Sequence, residues 1–250
     1  VVRGGQEYLD HCGSCELRQD CRWCGVYAYL EHGRYAAKID YLCQVAEKTR
    51  QLKEDWRQSH IRYFQIAGIT IRIAADFPFA EDTFAPVFDK FRVEKPGTEL
   101  VSLRLHSALP ARSDLRLGKE VYRKPPWVIT QQPQGWVYLG TSADDEARDP
   151  YMVAIFDREH NHGSIYQRAD YYQRGNLSAL STFISDQIWL ARMLAERQAC
   201  SLHSAGIIID GKGLLFIGHS EAGKSTMLKM LRGKGEILCD DRNIIRRWPE

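Results

Sequence analysis

The sequence has no apolar run approaching the roughly 18 residues that a membrane-spanning helix requires, and its mean hydropathy is −0.40. It carries almost no net charge: 34 Lys and Arg against 32 Asp and Glu leave a formal +2. Such a balance supplies no global field for gripping a nucleic-acid backbone or an anionic bilayer. Neither nucleic acid nor membrane is therefore expected as a partner, a cytoplasmic location is expected, and partners must be read from local sites. Internal repeats and low-complexity tracts are lacking. Disorder is excluded as well, because 44% hydrophobic and 11% aromatic residues in a chain of 250 leave ample apolar surface to bury.

Cysteine is present and unevenly placed. Of seven cysteines, Cys12, Cys15, Cys21, Cys24 and Cys43 fall in the first fifth, while Cys200 and Cys239 stand alone. This asymmetry predicts two domains. Residues 1–43 are rich in Gly, Cys and charge with little periodic apolar patterning, as in a small module organised around something other than a hydrophobic core. Gln44 to His60 is free of Gly and Pro and carries Val45, Leu52 and Trp56 at helical spacing, which predicts a helical linker over 44–60.

From Ile61 the period changes to two. Ile69, Ile71 and Ile73 alternate with Thr70 and Arg72, and Val101, Leu103 and Leu105 with Ser102, Arg104 and His106. Short strands are also predicted at Val121–Tyr122, Trp127–Ile129, Trp136–Leu139 and Met152–Phe156, between the turn signals Pro125-Pro126, Gln134-Gly135 and Asp149-Pro150. Region 61–200 is thus β-rich and ends in a helix over Ser178–Gln198. Ser178 would be its N-cap, and Leu180, Phe183, Ile184, Ile188, Ala191, Leu194 and Ala195 form its apolar stripe.

Residues 201–250 carry the sharpest motif. Two apolar segments, Ala205–Ile209 and Leu214–Ile217, are joined by an Asp210-Gly211 turn signal. The second runs into Gly218-His219-Ser220-Glu221-Ala222-Gly223-Lys224-Ser225, which fits G-x-x-x-x-G-K-[ST] and is followed by a predicted helix, Ser225–Leu231. A glycine-rich turn between strand and helix lets successive backbone N–H groups face a polyphosphate. Lys224 would reach the β- and γ-phosphates, and the Ser225 hydroxyl, next to Thr226, would ligate Mg²⁺. ATP and Mg²⁺ are the cofactors expected.

Downstream, Glu236-Ile237-Leu238 predicts a short strand beside the loop strand, ending in Cys239-Asp240-Asp241. Two adjacent carboxylates at that sheet edge can divide two tasks, one activating an acceptor hydroxyl and the other, assigned to Asp241, holding Mg²⁺.

Leu202-His203-Ser204-Ala205-Gly206, then Gly218 to Ser225, then Leu238-Cys239-Asp240-Asp241 resembles the C-terminal domain of the HPr kinase/phosphorylase family, and more closely its kinase-like relatives in peptide-modification gene clusters. The resemblance implies an α/β (α+β) chain in which a β-rich region precedes a P-loop domain of the HPr-kinase/PEP-carboxykinase type. It implies an ATP-dependent serine kinase acting on a hydroxyl of a peptide or small carrier protein, with Asp240, Asp241, His203 and Lys224 as catalytic residues. His203 would lie near the γ-phosphate. In that family a metal-binding Glu and a catalytic Arg lie further downstream. They have no counterpart among these residues, so the chain is expected to be a piece of a longer polypeptide, showing little catalysis alone. Oligomerisation is left open. The rivals are an ABC-type transport ATPase, suggested by Gly223-Lys224-Ser225-Thr226-Met227-Leu228, and a nucleotide-binding module without phosphotransfer. Against the ABC reading, more than a hundred β-rich residues precede the loop here, and the Asp pair follows it almost at once.

The spacing Cys12-x2-Cys15-x5-Cys21-x2-Cys24, followed by Cys43, sets soft thiolates on tight loops that can converge, which selects iron–sulfur or zinc over disulfides or free thiols. Zinc ribbons separate their two knuckles by a longer stretch. The pattern resembles the end of the SPASM domain that follows radical S-adenosylmethionine enzymes. That resemblance implies a [4Fe–4S] cluster on Cys12, Cys15, Cys21 and Cys43, with Cys24 serving a second cluster. Other features read blandly: His160-x-His162 as a turn, Tyr166, Tyr171, Tyr172 and Trp189 as core or cleft lining. Arg242, Arg246 and Arg247 fit either a solvated face or phosphate contacts.

Overall fold

A computed structural model describes residues 5–141, 150–181 and 186–248. The chain divides into two compact units, Val1–His60 and Ile61–Glu250.

The first unit is helical. A short α1 (Gln6–Tyr8) widens into a π turn at Leu9–Gly13, a 3-10 turn follows at Glu16–Gln19, and then come α2 (Gly25–His32) and α3 (Asp40–His60). Gly33 ends α2 at φ 68°, a left-handed position that a side chain would strain, and its N–H closes on the Tyr29 carbonyl at 2.7 Å. Helix α3 begins four residues before the predicted Gln44, so Cys43 sits on its first turn. The acid Asp40 at its start and Arg57 and His60 at its end both suit the helix dipole. The stripe Val45, Leu52 and Trp56 is exposed, and of this helix only Ala46 is buried. Contrary to the expectation of a coreless module, Tyr8, Trp23, Ala28, Ala37 and Ile39 form a small apolar cluster, and the Trp23 indole donates to the Ala37 carbonyl at 3.0 Å.

The second unit is mixed α/β. Its strands β1 (Ile61–Ile66), β2 (Ile69–Ala75), β3 (Arg92–Val93), β4 (Leu100–His106), β5 (Lys119–Lys124), β6 (Trp127–Gln132), β7 (Gly135–Gly140), β8 (Met152–Asp157) and β9 (His162–Gln167) form one sheet. The nine strands run in the order β3-β1-β2-β4-β9-β8-β7-β6-β5. The pairs β2–β4 and β4–β9 are parallel and the remainder antiparallel. The period-two reading holds: Ile69, Ile71, Ile73, Val101, Leu103 and Leu105 are all fully buried on one face. Against that face pack α4 (Ala169–Gln173), through Tyr172, and α5 (Gln187–Ala195), through Trp189, Met193 and Leu194.

Helix α5 is shorter than predicted, and Ser178 does not cap it. The preceding Asp186 turns its carboxylate back to accept the backbone N–H groups of Leu180 at 2.8 Å and Ser181 at 2.7 Å, together with the Ser181 hydroxyl. These bonds hold 180–181 in a turn that a helix from Ser178 would destroy. Phe183 and Ile184 lie outside the described residues.

A second, four-stranded sheet contains β10 (Ala199–Ile209), β11 (Lys212–Ile217), β12 (Glu236–Cys239) and β13 (Arg242–Arg246), with α6 (Lys224–Met230) between β11 and β12. The Asp210-Gly211 turn is present, with φ of 50° and 73°, the left-handed pair of a type I′ hairpin. Leu228 of α6 packs on Ala205 and Ile207 of β10. One prediction is corrected: β12 does not lie beside the loop strand β11. Both strands pair antiparallel with β10, which occupies the middle.

Candidate nucleotide site

Strand β10 organises the site because it faces three partners. Ser204 stands opposite Ile217, the last residue of β11, and Gly206 opposite Cys239, the last residue of β12. The C-terminal ends of β11 and β12 therefore come out at the same edge. Beyond that edge β10 continues and pairs with β13, His203 opposite Arg242. Asp240 and Asp241 are thus the break between two strands that follow the same neighbour. The break is pinned by the Ser204 N–H, which donates to the Asp241 carbonyl at 2.9 Å.

The Gly218–Ser225 loop leaves β11 at this edge. Gly223 has φ 82°, a conformation that strains any L side chain. Ala222 N–H donates to His219 O at 3.2 Å, and Met227 N–H to Gly223 O at 2.9 Å as the helix begins. No side chain caps α6, so its first-turn amides remain directed into the loop. Lys224 is 8% exposed and folds across its own loop, donating to the carbonyls of Gly218 at 2.9 Å and His219 at 2.7 Å. A cleft of about 320 Å³ opens here, walled by His203, Ser220, Lys224, Ser225, Thr226 and Asp240, with Glu221 and Gly223 completing it.

The geometry separates the two aspartates. Asp240 lines the cleft with Ser225. Asp241 instead meets His203, with Oδ1 3.5 Å from Nε2, and Arg242, with Oδ2 3.5 Å from Nε.

Sequence reasoning passed over the residues that hold these strands. Asn243, buried on β13, donates to the Ser204 carbonyl at 2.8 Å and lies 3.0 Å from its hydroxyl. A Cβ at Gly206 would come within 2.6 Å of Asn243 Oδ1, so the glycine makes room for this clamp. Further along, Glu99 forms ion pairs with Arg197, at 3.2 Å just before β10, and with Arg246 near the end of β13. Arg246 also donates to the Ala67 carbonyl at 2.9 Å and lies over the Trp248 ring. That places Arg246 in structural contacts within the fold. No motif marks Glu99; only the pairing of β10 with β13 makes it a hub.

In the first unit, Cys12, Cys15, Cys21 and Cys43 line a cavity of about 130 Å³ beside Lys38, Tyr8 and Trp23. Burial and then the neighbouring thiols of Cys43, Cys21 and Cys15 push the Cys12 thiol up. Burial likewise raises Cys43, opposed by Lys38. Cys24 stands apart, preceding α2, where its carbonyl accepts the Ala28 N–H at 3.1 Å. None of the seven cysteines is in a disulfide. Among the described residues no three His, Cys, Asp or Glu side chains close on a point as around a single metal ion.

The histidine pair is split, with His160 in the turn before β9 and His162 the first residue of that strand. His160, at φ 58°, is buried with Nε2 2.8 Å from the Tyr138 hydroxyl, and His162 pairs with Asp157 at 2.9 Å. Trp189 and Tyr172 are core residues. No helix among the described residues is long and apolar enough to cross a membrane. Comparison with family models, with curated proteins and with solved structures found no match to this chain.

Proposed function

We propose that the second unit is an ATP-dependent phosphotransferase of the HPr-kinase type, which moves the γ-phosphoryl group to a hydroxyl of a peptide or protein. The observation that carries this reading is the convergence of His203, Lys224, Ser225 and Asp240 on one polar cleft, although they come from three separate stretches of chain. The triphosphate of the substrate would take over the Lys224 ammonium from the loop carbonyls it now contacts. The loop and first-turn amides would receive the phosphate oxygens. Ser225 and, on this geometry, Asp240 rather than Asp241 would hold Mg²⁺, which supplies charge neutralisation to the phosphates when bound. Asp241 is then left to orient His203 at the mouth of the cleft and to receive the proton of an acceptor hydroxyl.

Nucleotide discrimination tests the reading. ATP and ADP should displace a fluorescent nucleotide analogue with at least about tenfold greater affinity than AMP, because the loop reads the β- and γ-phosphates. Equal affinity for adenosine, AMP and ATP would contradict it.

For the first unit the reading is an iron–sulfur cluster on Cys12, Cys15, Cys21 and Cys43. The donor set fits: four cysteine thiols, with His11 beside them, surround a cavity, and a polynuclear cluster spaces its ligands more widely than one ion does. Bound iron would supply the positive charge that lets four crowded thiols deprotonate together. Iron and sulfide analysis after anaerobic reconstitution, against zinc analysis of the same protein, decides between the two metals.

A further inference from the structure

The nine-stranded sheet has a second face, turned away from the core. Over one part of β6, β7 and β8 it is covered: Leu109 and Leu115 pack on Val128, Val137, Leu139 and Val153. Over β2, β4 and β9 the face carries a different set of residues. Strand register puts Arg72 opposite Ser102 and Ser102 opposite His162. In the next row Arg104 stands opposite Ser164, and Ser164 opposite Ile155. These residues line an open groove of about 410 Å³ that continues to Gln132 and Gln134.

The charge in this groove is unbalanced. The one carboxylate in it, Asp157, is engaged by His162 and by the Asn161 N–H at 2.7 Å. Arg72, half-buried, and Arg104, exposed, form no ion pair and no side-chain hydrogen bond among the described residues. Nearby, the Asp76 carboxylate faces His106 and the Ser107 N–H rather than either arginine. A guanidinium presents a fork of N–H donors that a carboxylate completes bidentately, and neither arginine has such a partner among the described residues. The groove is also graded along its length: two cations and two hydroxyls at one end, Ile155, 37% exposed, in the middle, and glutamine amides at the other. A small oxyanion would need donors closing on one point, whereas this succession matches a chain of several residues.

We propose that this groove docks an extended acidic peptide segment. Carboxylates of the peptide would pair with Arg72 and Arg104, and an apolar side chain would lie on Ile155. The site is separate from the Gly218–Ser225 cleft, and the inference stands whether or not that cleft binds ATP.

The test is fluorescence anisotropy of the purified chain with a labelled ten-residue peptide alternating Glu and Leu, against the same peptide with Gln for Glu. The Glu peptide should bind at least about tenfold more tightly, and Arg104→Gln and Arg72→Gln should each weaken it about three- to tenfold. Lys224→Ala should leave it unchanged. Arg104 is exposed, so that variant keeps the test valid should Arg72→Gln fail to fold. Equal binding of the two peptides, or indifference to both arginine substitutions, would overturn the proposal. Release of the peptide by inorganic phosphate, but not by chloride at matched ionic strength, would assign the pair to a small oxyanion and overturn it as well.

Discussion

His203 Nε2 stands 3.5 Å from Oδ1 of Asp241, and the N–H of the next residue, Ser204, fixes the Asp241 carbonyl at 2.9 Å. Imidazole and carboxylate are thus set by the same stretch of β10, while Asp240, one residue earlier, faces the cleft. In our reading the adjacent aspartates have different tasks, and substitution should separate them. Asp240→Asn should remove most of the Mg²⁺ dependence of ATP binding. Asp241→Asn and His203→Gln should leave both ATP affinity and its Mg²⁺ dependence within about threefold of the unchanged chain. Isothermal titration with and without Mg²⁺ distinguishes the two. Identical effects from both aspartates would contradict the division.

The Glu99 hub predicts a stability effect at a distance from the cleft. Glu99→Ala leaves Arg197 and Arg246 without their shared carboxylate. Glu99 is itself 39% exposed, so solvent screening moderates the loss to about 1–2 kcal/mol. Urea unfolding measures it, and a double-mutant cycle with Arg246→Met should show coupling between the two residues. Additive losses would mean that the ion pair contributes nothing to folding.

Acid sensitivity should follow His160. Burial, then the nearby Arg192 charge, lowers its ring from 6.5 to about 4. Above pH 6.5 the ring is neutral folded and unfolded, and nothing is lost. As the pH falls from 6.5 towards 4 the unfolded chain takes up a proton that the folded chain refuses, and stability declines by about 3 kcal/mol from this group. His160→Asn keeps a residue that tolerates the left-handed backbone and abolishes this titration. The variant should be less stable at pH 7.5 and should lose less between pH 7 and 4.5. An unchanged pH slope would place the acid sensitivity elsewhere.

For the cysteines, Cys12→Ser, Cys15→Ser, Cys21→Ser and Cys43→Ser should each abolish the visible absorption of a reconstituted cluster, whereas Cys24→Ser should retain most of it. Cys24 lies outside the cavity that the other four line. Loss with Cys24 and retention with Cys43 would refute this ligand set.

Legibility differed between elements for physical reasons. Period-two alternation in β2 and β4, the Asp210-Gly211 turn, and the strand, loop and helix around Gly218–Ser225 are local, and each is found where its residues predict it. The start of α5 was hidden because the carboxylate of Asp186, the residue just before it, ties the Leu180 and Ser181 amides into a turn, a choice that apolar periodicity does not encode. Placing β12 required knowing that β10 is long enough to pair with two successive strands, which spacing cannot encode. For the same reason Asn243 and Glu99 carried no signal: their importance lies in residues 39 and about 100 positions away. The small apolar cluster of the first unit rests on Trp23 and Tyr8, whose rings meet at 4.7 Å across a turn that glycine and cysteine density masked.

Titration of the chain with Mg-ATP, beside Lys224→Ala, tests the central claim most directly. The account predicts saturable binding that Lys224→Ala weakens by about 2 kcal/mol, roughly 30-fold in Kd, since a charge-assisted contact to phosphate is removed. Binding that is absent, or that survives Lys224→Ala unchanged, would contradict it.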